Sequence, residues 1–355
     1  MPRLSNDDSG AVAVIVALLI STVLLGFGAI VVDVGSLQAE RRQLQNGADA
    51  GALAVAQGCA ASCDTATAAT GTAGKYANAN ANDSLTNVVR VCLKGSCPAK
   101  QGEWDCPSAP SSGPLASAPY VQVETSTLTA TGTVMPPILA RALSGNGAYT
   151  GSTVRACARA SWGSPSALAA LPLTVSECTF DKALPLKPVP PPVSTPSVYY
   201  VHDKTGGDGC VDANSGNSIP GGFGYLSTTS SGQCLAESST TGWFSDSTGN
   251  SPPNPCTNAD FQSLLGTIVD IPIFDNLNGL PGSNGQYQMI GYAAFYLTGY
   301  QLGGSFKAKD IVTKAFPCSA PDTCVSGFFT SNPQPRTGTI GGLPGTGVTV
   351  VQMSG

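Results

Sequence analysis

Residues 10–58 read GAVAVIVALLISTVLLGFGAIVVDVGSLQAERRQLQNGADAGALAVAQG. The first part, Gly10–Val32, carries no charge. At 1.5 Å per residue it reaches roughly 34 Å, enough to cross a hydrocarbon core of about 30 Å. Asp7 and Asp8 bound it on one side and Asp33 on the other. A cleaved signal peptide carries an apolar region of about 7–15 residues. This run is longer, so it reads as a retained anchor. Beyond Asp33 strong helix formers continue, with Leu37, Leu44 and Gly51 recurring at heptad spacing and Arg41, Ala48 and Val55 between them. No proline interrupts the chain between Arg3 and Cys97. One helix over about 11–57 is expected, bent near Gly35 at most. Its outer half presents mostly Ala and Gly on one face, so whatever packs there comes close. Inside the span Ala13, Ala17 and Ser21 form a small-residue stripe of the kind that lets another membrane helix approach.

The 355-residue chain has room for two domains. Its 42 glycines and 27 prolines make up about a fifth of it, below the roughly 25–30% of low-complexity chains. Charged residues are 11% and the net charge is −5. No Lys or Arg falls between Lys204 and Lys307, which argues against nucleic acid as a partner, since phosphates need clustered cations. All twelve cysteines follow the apolar run: Cys59, Cys63, Cys92, Cys97, Cys106, Cys157, Cys178, Cys210, Cys234, Cys256, Cys318 and Cys324. No two are separated by two residues, and His202 is the single histidine, so zinc modules are not assembled. Disulfides in an oxidising compartment are expected instead, with connectivity left open. Arg3 on one side and Arg41 and Arg42 on the other leave the positive-inside rule nearly neutral. The cysteines decide the orientation. The head, 1–9, is placed in the cytoplasm, the transmembrane helix over 10–32, and the bulk of the chain outside the cell membrane.

The span ending in VVDVG, followed by AERRQLQNGADAGALAVA, resembles the N-terminal region of the TadE/TadG-like Flp (tight-adherence) pilus-assembly proteins. The residues that carry the likeness are Asp33, Val34, Gly35, Glu40, Arg41, Arg42, Gln43, Leu44, Gln45, Asn46, Ala48, Asp49, Ala50, Ala52 and Leu53. The resemblance covers roughly the first sixty residues. It implies a single-pass envelope protein whose partners are the lipid bilayer and the pilus-assembly machinery or other small-residue membrane helices. Tad pilins carry a glutamate five residues after the glycine at which they are cleaved, whereas Ala11–Ile15 here holds no acid. Many TadG proteins carry a metal site beginning D-x-S-x-S, which this sequence lacks. The likeness therefore implies a TadG-like assembly accessory rather than a pilus subunit, and no metal-dependent adhesion.

For the outer chain the expected fold class is α+β. A helical extension over 33–83 leads into a small α+β module over 84–183, a Pro-rich linker over 184–198, and a β-rich, disulfide-stapled domain over 199–355. Val88–Leu93, Tyr120–Val134 and Ser152–Gly163 alternate as half-buried strands do. Pro136–Leu143 reads as a short helix opened by proline. Ala60–Asn82 either extends the long helix or forms a loose connection, and Leu171–Phe180 belongs to either module. Val269–Phe274, Met289–Leu302 and Ser326–Ser331 are the strand candidates of the last region. Acids such as Asp208, Asp212, Glu237 and Asp246 read as turn residues; Asp212–Asn217 slightly resembles a calcium loop without its closing Glu.

Neither G-x-S-x-G, H-E-x-x-H nor G-x-x-x-x-G-K-[ST] occurs. No catalytic or cofactor residue is assigned and no cofactor is expected. The function expected is a membrane-anchored, extracytoplasmic, non-catalytic accessory of Flp/Tad pilus assembly. The alternatives are an anchored surface-binding or adhesion module and an anchored hydrolase built around His202.

Overall fold

The computed structural model describes residues 9–63, 65–93, 106, 110–139, 150–186, 196–201, 210, 223–229, 232–247, 251–279, 285–330 and 336–355. The long helix forms without a break: α1 spans Ser9–Ala61, about 80 Å at the usual rise. Gly35 sits in its exposed wall and does not bend it apart. The stretch Val12–Ala60 holds a window apolar enough to cross a membrane, and only 6% of that window is buried.

At the end of α1, Cys59 is bonded to Cys63. The chain runs back along α1 as α2, Ala66–Ala79. Thr65 caps this helix by accepting from the Ala68 N–H at 3.4 Å. The return path is antiparallel. Gly51 lies against Ala73 and Gly47 against Ala77, with a Cβ at Gly51 meeting the Ala73 carbonyl oxygen at 3.2 Å and one at Gly47 meeting the Ala77 Cα at 3.1 Å. Ala69, Ala73 and Ala77 are fully buried in this contact. Glycine and alanine thus let two backbones approach where larger residues would hold them apart.

The other side of α1 rests on a sheet. Strands β1 (Thr86–Leu93), β2 (Tyr120–Thr127) and β3 (Arg155–Gly163) are antiparallel neighbours, and a one-turn helix α3 (Pro114–Ser117) precedes β2. Val121, Val123, Ala158, Ala160 and Trp162 point at Ala48, Ala52, Val55 and Ala56 of α1 and form one core. The period of two places Gln122, Glu124 and Arg159 on the reverse face. There Arg90 pairs with Glu124, and Arg159 donates to Gln122 at 2.6 Å and lies over the Tyr120 ring. Burial lowers the Arg159 pKa from its ordinary value. The expected strand Tyr120–Val134 stops at Thr127, because Thr129 and Gly132 close a turn.

The second sheet runs β6–β13–β11–β10–β5–β7. A long antiparallel pair dominates it, β10 (Ile268–Asn278) with β11 (Gln286–Gln301). Around the pair lie β5 (Leu173–Ser176), β6 (Ser197–Tyr200), β7 (Phe223–Tyr225), β9 (Trp243–Ser245), β12 (Lys307–Ala308) and β13 (Cys324–Phe329). A two-stranded ribbon joins β4 (Ala167–Ala170) to β8 (Ala236–Ser239). Short helices α4 (Glu177–Lys182) and α5 (Asn258–Ser263) flank the sheet. Phe180, Tyr199, Phe295 and Phe329 meet mostly edge to face at 5.0–5.7 Å and fill its core.

The two sheets exchange strands across the Pro-rich stretch, of which 187–195 lie outside the described residues. Leu173–Ser176 joins the second sheet in parallel with β10. From the far end of the chain, β14 (Arg336–Thr337) and β15 (Val350–Met353) return to the first, β15 lying antiparallel to β3. Both sheets are thereby closed by strands distant in sequence. Disulfides join Cys106–Cys157, Cys178–Cys210, Cys234–Cys256 and Cys318–Cys324, and Cys92 is also bonded. Cys97 lies outside the described residues.

Asp310 organises the turn after β12. Its carboxylate accepts from the Thr298 and Ser326 hydroxyls, both at 2.5 Å, and from the Val312 and Thr313 N–H groups at 2.7 and 2.9 Å. Burial alone would raise its pKa, but these four bonds carry it below the ordinary value. The stabilisation is therefore complete above the unfolded value of about 3.9 and is lost as pH falls through the lower folded one. Unfolding midpoints below about pH 4 should fall more steeply in the wild type than in Asp310→Asn; parallel acid limbs would refute this. Gly51→Val should lower stability by about 1–3 kcal/mol through overpacking against Ala73. This is measurable as thermal unfolding of the detergent-held full chain, and an unchanged midpoint would show that α2 does not depend on that approach.

Candidate functional site

The sequence features singled out for function converge where α1 leaves its apolar run. Asp33 follows a stretch in which Ile30, Val31 and Val32 are exposed, yet it is itself buried at 7% exposure. A carboxylate withdrawn from water needs donors. Asp33 finds them in the backbone: Oδ1 accepts from Ile138 at 2.7 Å and Leu139 at 3.0 Å, and Oδ2 from Leu139 at 3.2 Å. The expected helix Pro136–Leu143 lies outside the described residues from 140 onward. Its described part, 136–139, is bent and non-helical. Pro136 and Pro137 carry no backbone N–H, so Ile138 and Leu139 offer the first donors after Met135. The side chains of Val134, Ile138 and Leu139 remain exposed around this contact.

One and two turns further along the same helix face come Leu37 and Arg41. With Gln38 and the chain at Thr153, Val154 and Arg155 they enclose a cleft of about 340 Å³. The segment that forms its far wall is tied to the bent loop. Met135 and Ser152 exchange backbone hydrogen bonds at 3.0 and 3.2 Å, and the Thr153 hydroxyl donates to the Thr133 carbonyl at 2.8 Å. Arg41 is exposed and Arg155 half-buried.

The remaining motif residues divide by helix face. Leu44 and Ala48 are buried under the sheet; the Leu44 carbonyl accepts from the Thr125 hydroxyl at 3.1 Å. Gln45 donates to Asp49 at 2.8 Å and to the Cys157 carbonyl at 3.0 Å. Gln43 accepts from the Asn82 N–H at 2.8 Å, tying the end of α2 to α1. Glu40 is half-buried; desolvation raises its pKa, a hydrogen bond with Thr127 opposes this, and Asp83 adds to it. Arg42 and Asn46 face solvent, Gly35 is open on all sides, and Ala50 is half-buried. Most of the motif is thus the footing on which α2 and the first sheet stand. Thr125 and Arg155 belong to this arrangement and carried no signal of their own in the sequence, because each meets α1 from far along the chain.

Two other places gather chemically capable side chains. Cys106, Glu124 and Cys157 come together as a metal set would, but both sulfurs are joined in a disulfide and Glu124 is paired with Arg90. No thiolate remains to hold an ion. A hollow of about 320 Å³ beside α5 is bordered by Leu171, Leu235, Leu264, Asp260 and Asp270. Asp260 is engaged in the capping box with Thr257. His202 and Asp212–Asn217, the centres of the hydrolase and calcium readings, lie outside the described residues.

Replacing Asp33 by Asn halves the acceptor capacity facing the loop. Hydrogen exchange at the Ile138 and Leu139 amides should accelerate at least tenfold, with exchange in β10 and β11 unchanged; equal protection in the variant would show that the loop is held otherwise.

No curated protein and no solved structure matches the chain. Residues 10–58 match the family described as putative Flp pilus-assembly TadE/G-like. The helix that carries Asp33, the Arg41–Arg42 pair and the Gly47–Gly51 footing is therefore the part of the chain that is similar to that family, in its N-terminal region.

Proposed function

We propose that the protein is a membrane-anchored, non-catalytic accessory of Flp/Tad pilus assembly. Its head at 1–9 lies in the cytoplasm, its span at 10–32 crosses the membrane once, and its outer part stands outside the cytoplasm. The observation that carries the reading is the match over residues 10–58, which coincides with the apolar run and its outward continuation. The position of every cysteine beyond the run supports the orientation, since disulfides persist in oxidising compartments.

The continuous helix gives the role a physical form. An unbroken α1 transmits position from bilayer to ectodomain without a hinge. The α+β module over 84–183 and the β-rich domain over 199–355 then ride on it as a two-part body with exchanged strands. The exposed face of Ala13, Ala17 and Ser21 is available to a helix of the assembly machinery. The Ser21 hydroxyl donates within its own helix to the Leu18 carbonyl at 3.0 Å. It therefore imposes no polar cost on such packing.

A clean deletion in the source organism should abolish surface pili, and the full chain supplied in trans should restore them; normal piliation of the deletion strain would overturn the proposal. A phosphatase fused after residue 355 should be active only if it is exported, and the fusion should stay with membranes through an alkaline wash.

A further inference from the structure

We propose that the cleft between Arg41 and Arg155 binds the headgroup of an anionic phospholipid, with the loop 134–139 seated on the bilayer surface beside it. The inference rests on the membrane reading above and adds a ligand to it.

The first support is position. Arg41 lies eight residues beyond Asp33, roughly 12 Å along the helix. Side chains of a helix lean toward its N-terminus, so a guanidinium on a long stem returns several ångströms toward the membrane. Headgroups occupy about 5–7 Å beyond each side of the hydrocarbon core. The Arg41 charge therefore falls at headgroup depth when Asp33 marks the end of the span. Arg155 enters from the opposite wall at the same level, because β3 advances alongside α1: Arg155 is level with Arg41, and the Cys157 carbonyl is level with Gln45.

The second is charge. Among the described residues the ion pair of the structure is Arg90–Glu124; neither Arg41 nor Arg155 takes part in it. Arg41 and Arg155 both line one cleft of about 340 Å³, so an anion seated there is attracted by both charges. A phosphate accepts from arginine with the fork geometry that guanidinium favours, and Gln38 adds a neutral donor. A positive charge on the lipid itself, as in a choline headgroup, would oppose this; a glycerol headgroup would not. The chemistry is that of a basic pocket against a membrane.

The third is continuity. Val31 is exposed at 70% and Val34 at 50% on α1, and Ile138 at 60%, Leu139 at 41% and Val134 at 41% on the loop. Asp33 joins the two surfaces by holding the loop through its backbone, which leaves these apolar side chains pointing outward. The apolar surface of the span thus runs without interruption onto the loop, and the basic cleft opens just above it. Water would be a poor neighbour for such a patch.

The test uses the full chain. Wild type and Arg41→Gln/Arg155→Gln are reconstituted in nanodiscs of phosphatidylcholine with and without phosphatidylglycerol, then moved to mild detergent for native mass spectrometry. The wild type should retain one phosphatidylglycerol per chain, at least tenfold in excess over phosphatidylcholine, and the double variant should lose that preference. Added phosphatidylglycerol should raise the unfolding midpoint of the detergent-held wild type, and inorganic phosphate should not. Equal retention of both lipids, equal retention by the variant, or an equal shift with inorganic phosphate overturns the lipid site. Failure of the wild type to enter nanodiscs at all would instead overturn the membrane reading. Ile138→Trp supplies an independent readout: its fluorescence should be quenched by brominated lipid, and a tryptophan insensitive to the quencher would remove the loop from the bilayer.

Discussion

At Gly47 and Gly51 the backbone of α1 comes close enough to Ala77 and Ala73 that even a methyl group would press on main-chain atoms. On the adjoining face, Ala48, Ala52 and Ala56 let the first sheet lie equally near. Neither contact has much apolar surface per residue, so its strength comes from the number of atoms brought within dispersion range. The two contacts turn the outer half of α1 into a shared core. Replacing the small side chains of that half by large ones would push the stem away from what is mounted on it.

Rigidity follows from that arrangement. A helix of 53 residues standing alone would bend, but here its outer half is braced by α2 on one side and by β2, β3 and β15 on the other. Bracing extends down to Asp33, where the loop at Ile138 and Leu139 is fastened. The first sheet and α2 are therefore held at a set height and angle beside the end of the apolar run. In the role proposed above, such a stem would convey orientation, and the small-residue stripe below it would offer a surface on which another helix could read that orientation.

The sequence was most legible where interactions are local. The extent of α1, the strands at Val88–Leu93 and Ser152–Gly163, and the β-rich character of the later chain all follow from periodicity, because helix and strand patterns are set by neighbours a few residues away. It was less legible at Tyr120–Val134, where alternation continues past Thr127 although the chain turns at Thr129–Gly132. It gave no sign that Val350–Met353 would pair with β3 or Leu173–Ser176 with β10. Strand pairing depends on edges left open elsewhere in the fold, and a short alternating run is compatible with many edges. The candidate site shows the same division. Asp33 and Arg41 stand out as charges at the end of an apolar run, whereas Arg155 and the amides of Ile138 and Leu139 do not.

The amino-acid order alone settled that a long uninterrupted helix runs through the N-terminal region, that its first half is apolar all round and its second half closely packable, and that the cysteines lie wholly beyond the apolar half. These are one-dimensional properties, fixed by composition and by the 3.6-residue repeat. Only the tertiary structure decided what packs on that helix, which cysteines meet, and which distant groups are drawn to Asp33 and Arg41. Those choices are made by contacts between residues a hundred positions apart, whose free energy exists only once the chain has closed on itself.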